Sequence, residues 1–285
     1  SREGEIAIAK RIEAGKDVMI NALTQSPLVA KSIFLWKEQL EKDELLIRNI
    51  IDIDSTYEDF ESNDQEDDLV EKKFKDNKKN LKQKEKDEAD NKEDKNSEEK
   101  KPGEEYAEED EFNVSLAAME EEIKPKIIRL ISSLAKNYVK LKKYQIEKLR
   151  CILDSKELSV SKNKNLKKIQ SILVQDFKNL QLSPSVLEEL VQSHYKENKK
   201  ILSLEGVLLR LAMDNKISRE EFIKYYIGNE INPRFENFLK ENKTWRNFFK
   251  KYKKEFYNIR ERLVEFSKKI ELPVGEFKQL VKRIQ

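Results

Sequence analysis

Apolar residues recur at steps of three and four along most of this 285-residue chain, and no stretch alternates apolar with polar in a sustained way. That periodicity predicts helix nearly throughout. In residues 2–24, Ile8, Ile12, Met19 and Leu23 fall at steps of four and seven, with Gly15 on the same stripe and Lys10, Arg11 and Glu13 off it. The stretch reads as one helix with an apolar face for docking. Further helices are expected at about 27–41, 43–53, 114–123, 125–157, 161–181, 184–213, 219–227, 233–241, 244–271 and 274–285. Prolines punctuate the pattern: Ser26-Pro27, Ser183-Pro184 and Asn232-Pro233 each place a capping side chain before a ring suited to the first helical position. Ser218 with Glu221 reads as a capping box. In 125–157, Ile127, Leu130, Leu134, Leu141 and Leu149 keep one stripe with Tyr138 beside it. Phe177 and Leu180 are expected to pack against Leu187, Leu190 and Val191 across a turn at 181–183, forming an antiparallel helix pair.

Composition divides this all-α reading into parts. Charged residues make up 39% of the chain against 38% hydrophobic, too polar for one compact globule. From Glu58 to Glu111 there are 23 acidic and 12 basic residues, a net charge of −11, which leaves +13 on the remainder. Low hydrophobicity with high charge predicts that this tract stays disordered. Its other reading is a shield over a basic body, displaced by a polyanionic target. The expected organisation is a helical part over 1–54, a charged linker over 55–112 and a helical bundle over 113–285. The single cysteine, Cys151, rules out an internal disulfide framework, and the polar start does not read as a secretory signal, so a cytoplasmic setting is expected.

The usual parts of a catalytic site are scarce. His194 is the only histidine and falls inside a predicted helix, which favours a structural role over Ser-His or Cys-His chemistry. One Cys and one His are too few for a zinc site. "DIDSTYEDFESN" from Asp52 imitates the start of a calcium loop, but Tyr57 stands where the turn needs Gly and Asn63 where a bidentate Glu belongs. Six scattered glycines form no phosphate loop. Neither a cofactor, a metal nor an enzymatic activity is expected. In "TWRNFFKKYKKEFYNIRERLVEFSKK", residues 244–269, aromatics interleave with bases. Their spacing describes a buried stripe with a solvated basic back; contact between that back and nucleic acid is the alternative.

The order of segments adds a resemblance. "REGEIAIAKRIEAG", followed by "SPLVAKSIFLWKEQL" and "LLIRNIID", resembles conserved region 1.2 of bacterial primary (housekeeping) sigma factors, the promoter-recognition subunits of RNA polymerase. "KNLQLSPSVLEELV", "SLEGVLLRLA", "YYIGNE", "NKTWRNF" and "LPVGEFKQLVKRIQ" resemble the non-conserved region of the same family, in the form seen in alphaproteobacterial members. Family members continue at both ends, so the resemblance implies a fragment that does not initiate transcription by itself.

It also implies a set of contacts. The stripe of Ile8, Ile12, Gly15 and Met19 would pack within region 1.2 and toward region 2, leaving the first turn to face the non-template strand downstream of the −10 element. Glu5 matches the position of a carboxylate near a discriminator base, where an acid can accept from a base amino group. Arg2, Lys10 and Arg11 are candidates for phosphate contacts that set position rather than sequence. Each of the four also reads simply as a solvated charge. The implied partners are promoter DNA and core RNA polymerase, with the bundle against the β′ subunit. A structural helical adaptor binding acidic proteins through a basic face is the rival reading.

Overall fold

A computed structural model describes residues 2–57, 107–235 and 242–285. The fold is all-α, as the periodicity predicts. Its helices are α1 (Arg2–Thr24), α2 (Pro27–Glu41), α3 (Ala107–Leu153), α4 (Val160–Asn179), α5 (Pro184–Asp214), α6 (Arg219–Tyr226), α7 (Lys243–Lys251), α8 (Lys253–Ile270) and α9 (Val274–Ile284). Among the described residues there is no strand, only an isolated antiparallel bridge between Ile51 and Leu182. The acidic tract from 58 to 106 and most of the helix expected at 233–241 lie outside the described residues.

α3 is the strut. Ile123, Ile127, Ile131, Leu134, Tyr138, Leu141 and Leu149 are all buried along one face. The break expected before Pro125 does not occur. The ring is exposed while Ile123 and Ile127 on either side are buried, so the packed stripe holds the helix through a residue that normally interrupts it. α2 packs on α3, and α4 lies along α3 and α1.

Residues 43–53 are not the helix that was expected. Asp43 has φ 55°, a single 3₁₀ turn covers Ile47–Asn49, and the chain then crosses to the α4–α5 turn. There Asp52 N–H donates to the Gln181 carbonyl at 2.9 Å and Ser183 N–H to the Ile50 carbonyl at 3.0 Å. Ile47, Ile50, Ile51 and Ile53 are all buried. A short run buried on more than one side carries no period that separates helix from extended chain. This crossing also changes the expected antiparallel pair. The backbone turns at Gln181 (φ 45°), α4 stays on α3, and α5 packs instead on α8, α9 and α2. Phe177, Leu180 and Leu190 are buried, but not as two sides of a hairpin.

The expected 244–271 helix breaks at Tyr252 (φ −115°, ψ 29°) into α7 and α8. Phe222, Tyr226, Phe235, Trp245, Phe248 and Phe256 are buried around this corner. Phe235 and Phe256 stack at 5.0 Å between ring centroids and Trp245 meets Phe248 edge-on. The Ser218 capping box forms by half. Ser218 Oγ accepts from Glu221 N–H at 3.1 Å, but Glu221 Oε1 accepts from Trp245 Nε1–H and Asn242 Nδ2–H instead of returning to the cap.

Candidate nucleic-acid interface

The residues expected to meet DNA lie on α1, so its position depends on how its C-terminal end is held. Only Ile20, Ala22, Leu23 and Thr24 of this helix are buried. They pack against α9 and α4. Asp17 Oδ1 meets Lys178 Nζ of α4 at 2.7 Å. At the turn, the buried Gln145 of α3 donates from Nε2 to the Gln25 carbonyl at 2.9 Å. α2 then leaves at 79° to α1.

Ser26 sits at that corner with no exposed surface and joins two helices. Its Oγ accepts from Leu28 N–H at 3.2 Å, capping α2, and lies 2.6 Å from Nε2 of the fully buried His194 of α5. The other ring nitrogen, Nδ1, is 2.5 Å from the Leu190 carbonyl. A carbonyl only accepts, so Nδ1 carries the proton and Nε2 accepts from the Ser26 hydroxyl. Phe277 of α9 stacks on the ring at 6.0 Å. Burial holds the imidazole's pKa below its usual value, with the bond to Leu190 opposing. His194 therefore has the structural role that its place in a helix suggests.

Beyond this root, α1 projects. Every residue from Arg2 to Val18 is exposed, Ile6, Ile8 and Ile12 among them at 49%, 60% and 67%. The helix is unbroken at Gly15, and nothing lies within 4 Å of where a Cβ would stand there. The expected packing of Ile8, Ile12 and Gly15 against the rest of residues 1–54 is therefore absent, because α2 turns away and no described residue covers them. Of the four stripe residues expected to pack, only Met19, half-buried, meets the core.

Arg2, Glu5, Lys10 and Arg11 are all on this exposed arm and none forms an ion pair with a described residue. Helical geometry divides them. At about 100° per residue, Glu5 shares a face with Ile8 and Ile12, Arg2 and Arg11 lie on its two borders, and Lys10 points to the opposite side of the helix. They make an acid on an apolar face bordered by bases, not one converging cluster.

Residues 27–266 match the family model for the sigma-70 non-essential region. The chain belongs to the sigma-70 family. A family match over most of its length gives this sigma-70 protein a role in transcription, with core RNA polymerase and promoter DNA as the family's partners. Sigma factors are non-enzymatic regulators. The matched span begins at Pro27, so α1 and its four candidate residues lie before it.

The rest of the sigma-70 chain offers a polar centre and a basic corner. Lys278 Nζ of α9 is 2.9 Å from both Glu205 carboxylate oxygens and 3.6 Å from Glu230 Oε1. This trio ties α5 and the segment after α6 to α9. Burial raises the Glu205 carboxyl, while Lys278 pulls the other way. Two carboxylates around one ammonium in the interior are structural, and among the described residues no group of His, Cys, Asp and Glu could hold a metal. Asp52, first residue of the calcium-like stretch, instead accepts from Ser55 N–H at 3.3 Å at the start of a helical turn. No single described helix is long and apolar enough to cross a membrane. Sequence reading did not single out Ser26–His194 or the Lys278 centre as pairs, since their partners are 168 and 73 residues apart.

Proposed function

We propose that this sigma-70 protein helps direct RNA polymerase to promoters, with α1 serving as the promoter-facing helix of region 1.2. The observation that carries this reading is the exposed, continuous arm Arg2–Val18, joined to the matched region through a packed corner at Ser26. A helix that exposes Ile8 and Ile12 one turn apart on the same side has an apolar face awaiting a neighbour. In this reading Ile8 and Ile12 lie on protein within the polymerase complex, while the first turn reaches the opened non-template strand. Glu5 then accepts from a base amino group of the discriminator, and Arg2 contacts a neighbouring phosphate. Arg11, on the other border of that face, and Lys10, on the opposite side of the helix, contact the phosphate backbone.

The bundle formed by α3 to α9 takes the part of the non-conserved region and contacts the β′ subunit, and the whole acts in the cytoplasm where polymerase works. The later segments support membership of the alphaproteobacterial type by their resemblance. The test is transcription by core polymerase with a sigma factor carrying this chain. Glu5→Ala is expected to change the ranking of templates that differ only in discriminator sequence, by about fivefold to tenfold, as one good base contact carries. Equal loss on every template, or none on any, would count against the role given to Glu5.

A further inference from the structure

The break between α7 and α8 changes the meaning of the aromatic and basic stretch. From Lys243 to Lys254 the chain carries six basic residues and no acidic one. Lys250, Lys251, Lys253 and Lys254 are all exposed, and none of them pairs with a carboxylate among the described residues. A continuous helix would hold these lysines on the face opposite the aromatics. With the turn at Tyr252, Lys251 and Lys253 reach back over ring faces instead. Lys251 Nζ lies 5.0 Å from the centroid of Tyr252, and Lys253 Nζ lies 5.9 Å from Phe249 and 5.7 Å from Tyr257.

These three rings are not core. Phe249 and Tyr252 are half-buried, and Tyr257 is 37% exposed, set edge-on to Phe249 at 6.0 Å. The deep aromatics Trp245, Phe248 and Phe256 bear out the buried stripe that spacing predicts; Phe249 and Tyr252, which the spacing also places on that stripe, are only half-buried and with Tyr257 form a second, outward set. The nearest opposing charges are few. Glu255 is the first carboxylate along the chain after the run; the Tyr252 hydroxyl is engaged by the Asn215 and Lys251 side chains, and Asp214 at the end of α5 has only a weak electrostatic influence on it.

We infer that the corner formed by Phe249, Lys250, Lys251, Tyr252, Lys253, Lys254 and Tyr257 is a binding surface for single-stranded nucleic acid. Ring faces that accept a base, beside cations without carboxylate partners, are the two components of sequence-tolerant single-strand binding. The lysines rest on the rings in the free protein. An arriving phosphate draws the ammonium off the ring, and the vacated face receives the base. A duplex offers the phosphates but not the unstacked base, so it engages only the lysines. An acidic protein segment likewise supplies charge without a face to stack. This surface lies on α7 and α8, apart from α1, and the inference is independent of the role proposed for Glu5.

The test is fluorescence anisotropy with the 285-residue chain and a labelled oligothymidylate of about 15 nucleotides, long enough for one such site. Affinity is expected to fall with salt along a log–log slope of about −3, the value for roughly four phosphate contacts on a single strand. Lys251→Ala with Lys253→Ala is expected to bring the slope to about −1.5. Tyr257→Leu keeps apolar bulk but removes the π face, and is expected to weaken binding about tenfold at an unchanged slope. Circular dichroism melting of each variant confirms that the fold is retained. Three outcomes overturn the inference: no salt-sensitive binding by the wild-type chain; a folded Tyr257→Leu variant that binds as wild type does; or displacement of the strand by polyglutamate more readily than by unlabelled oligothymidylate.

Discussion

Ser26→Ala removes one oxygen but undoes two connections at the base of the α1 arm. The first is the cap on Leu28 N–H, at 3.2 Å, and such caps contribute about 1 kcal/mol. The second is the bond to His194 Nε2, which has no exposed surface through which water could replace the lost hydroxyl. Leaving a buried acceptor unsatisfied costs about 1–3 kcal/mol. The expected loss is therefore about 2–4 kcal/mol, or roughly 6–12 °C in melting temperature for a chain this size at its midpoint. Urea and thermal unfolding followed by circular dichroism measure it. Ser159→Ala is the control, because Ser159 precedes α4 yet its side chain makes no cap bond; that change should stay within about 0.5 kcal/mol. In a His194→Leu background, Ser26→Ala should cost only the cap, about 1 kcal/mol. If Ser26→Ala matches the control, or costs the same in both backgrounds, the coupling between the corner and α5 is not what the geometry says.

Leu208→Asp, at a position 1% exposed on α5, should cost several kcal/mol, about 3 or more, by placing an unpaired carboxylate in the core; an unchanged melting temperature would assign the buried face wrongly. Lys278→Ala should cost about 3 kcal/mol at neutral pH, because Glu205 and Glu230 then share the interior without a counter-charge, and adding Glu205→Gln should restore part of that loss in urea titrations. Acid should expose His194. Its folded pKa lies below the unfolded 6.5, so stability is full above about pH 6.5 and falls, by at most about 1.4 kcal/mol per pH unit, as pH drops from there toward the folded value. Glu205 works in the opposite sense, since a raised carboxyl takes up its proton in the folded state first and adds stability as pH falls through its folded pKa. The difference between wild type and His194→Leu isolates the histidine, and a pH-independent difference would refute the buried neutral ring.

How much could be read in advance depended on whether a feature was local. The stripe of Ile127, Leu134 and Leu141 has a period that only a helix satisfies, so α3 was legible even though its passage through Pro125 was not. Ser26 and Ser218 cap as their sequence context suggests, whereas Ser183 does not: its hydroxyl lies 3.2 Å from Ser185 Oγ. The crossing at 50–52 was hidden because Ile50 and Ile51 satisfy a helical pattern equally well; the partners of Ile50 and Asp52, Ser183 and Gln181, lie far along the chain. The break at Tyr252 was hidden for another reason. Aromatics on both sides of it keep helical spacing within each half, and only the backbone at Tyr252 shows that the halves turn. For the candidate site, the sequence located a continuous patterned helix but left its surroundings blank. An apolar stripe states that something is to be covered, and α1 shows that the cover of Ile8 and Ile12 is not among the described residues.

The most direct measurement is photocrosslinking in an open promoter complex assembled from core polymerase and a sigma factor carrying this chain. Benzoylphenylalanine is placed in turn at Arg2, in the first turn of α1, and at Ile12, on its apolar face. The account predicts a crosslink from position 2 to the non-template strand just downstream of the −10 element, and from position 12 to protein. Position 2 reaching only protein, or position 12 reaching DNA, would contradict it.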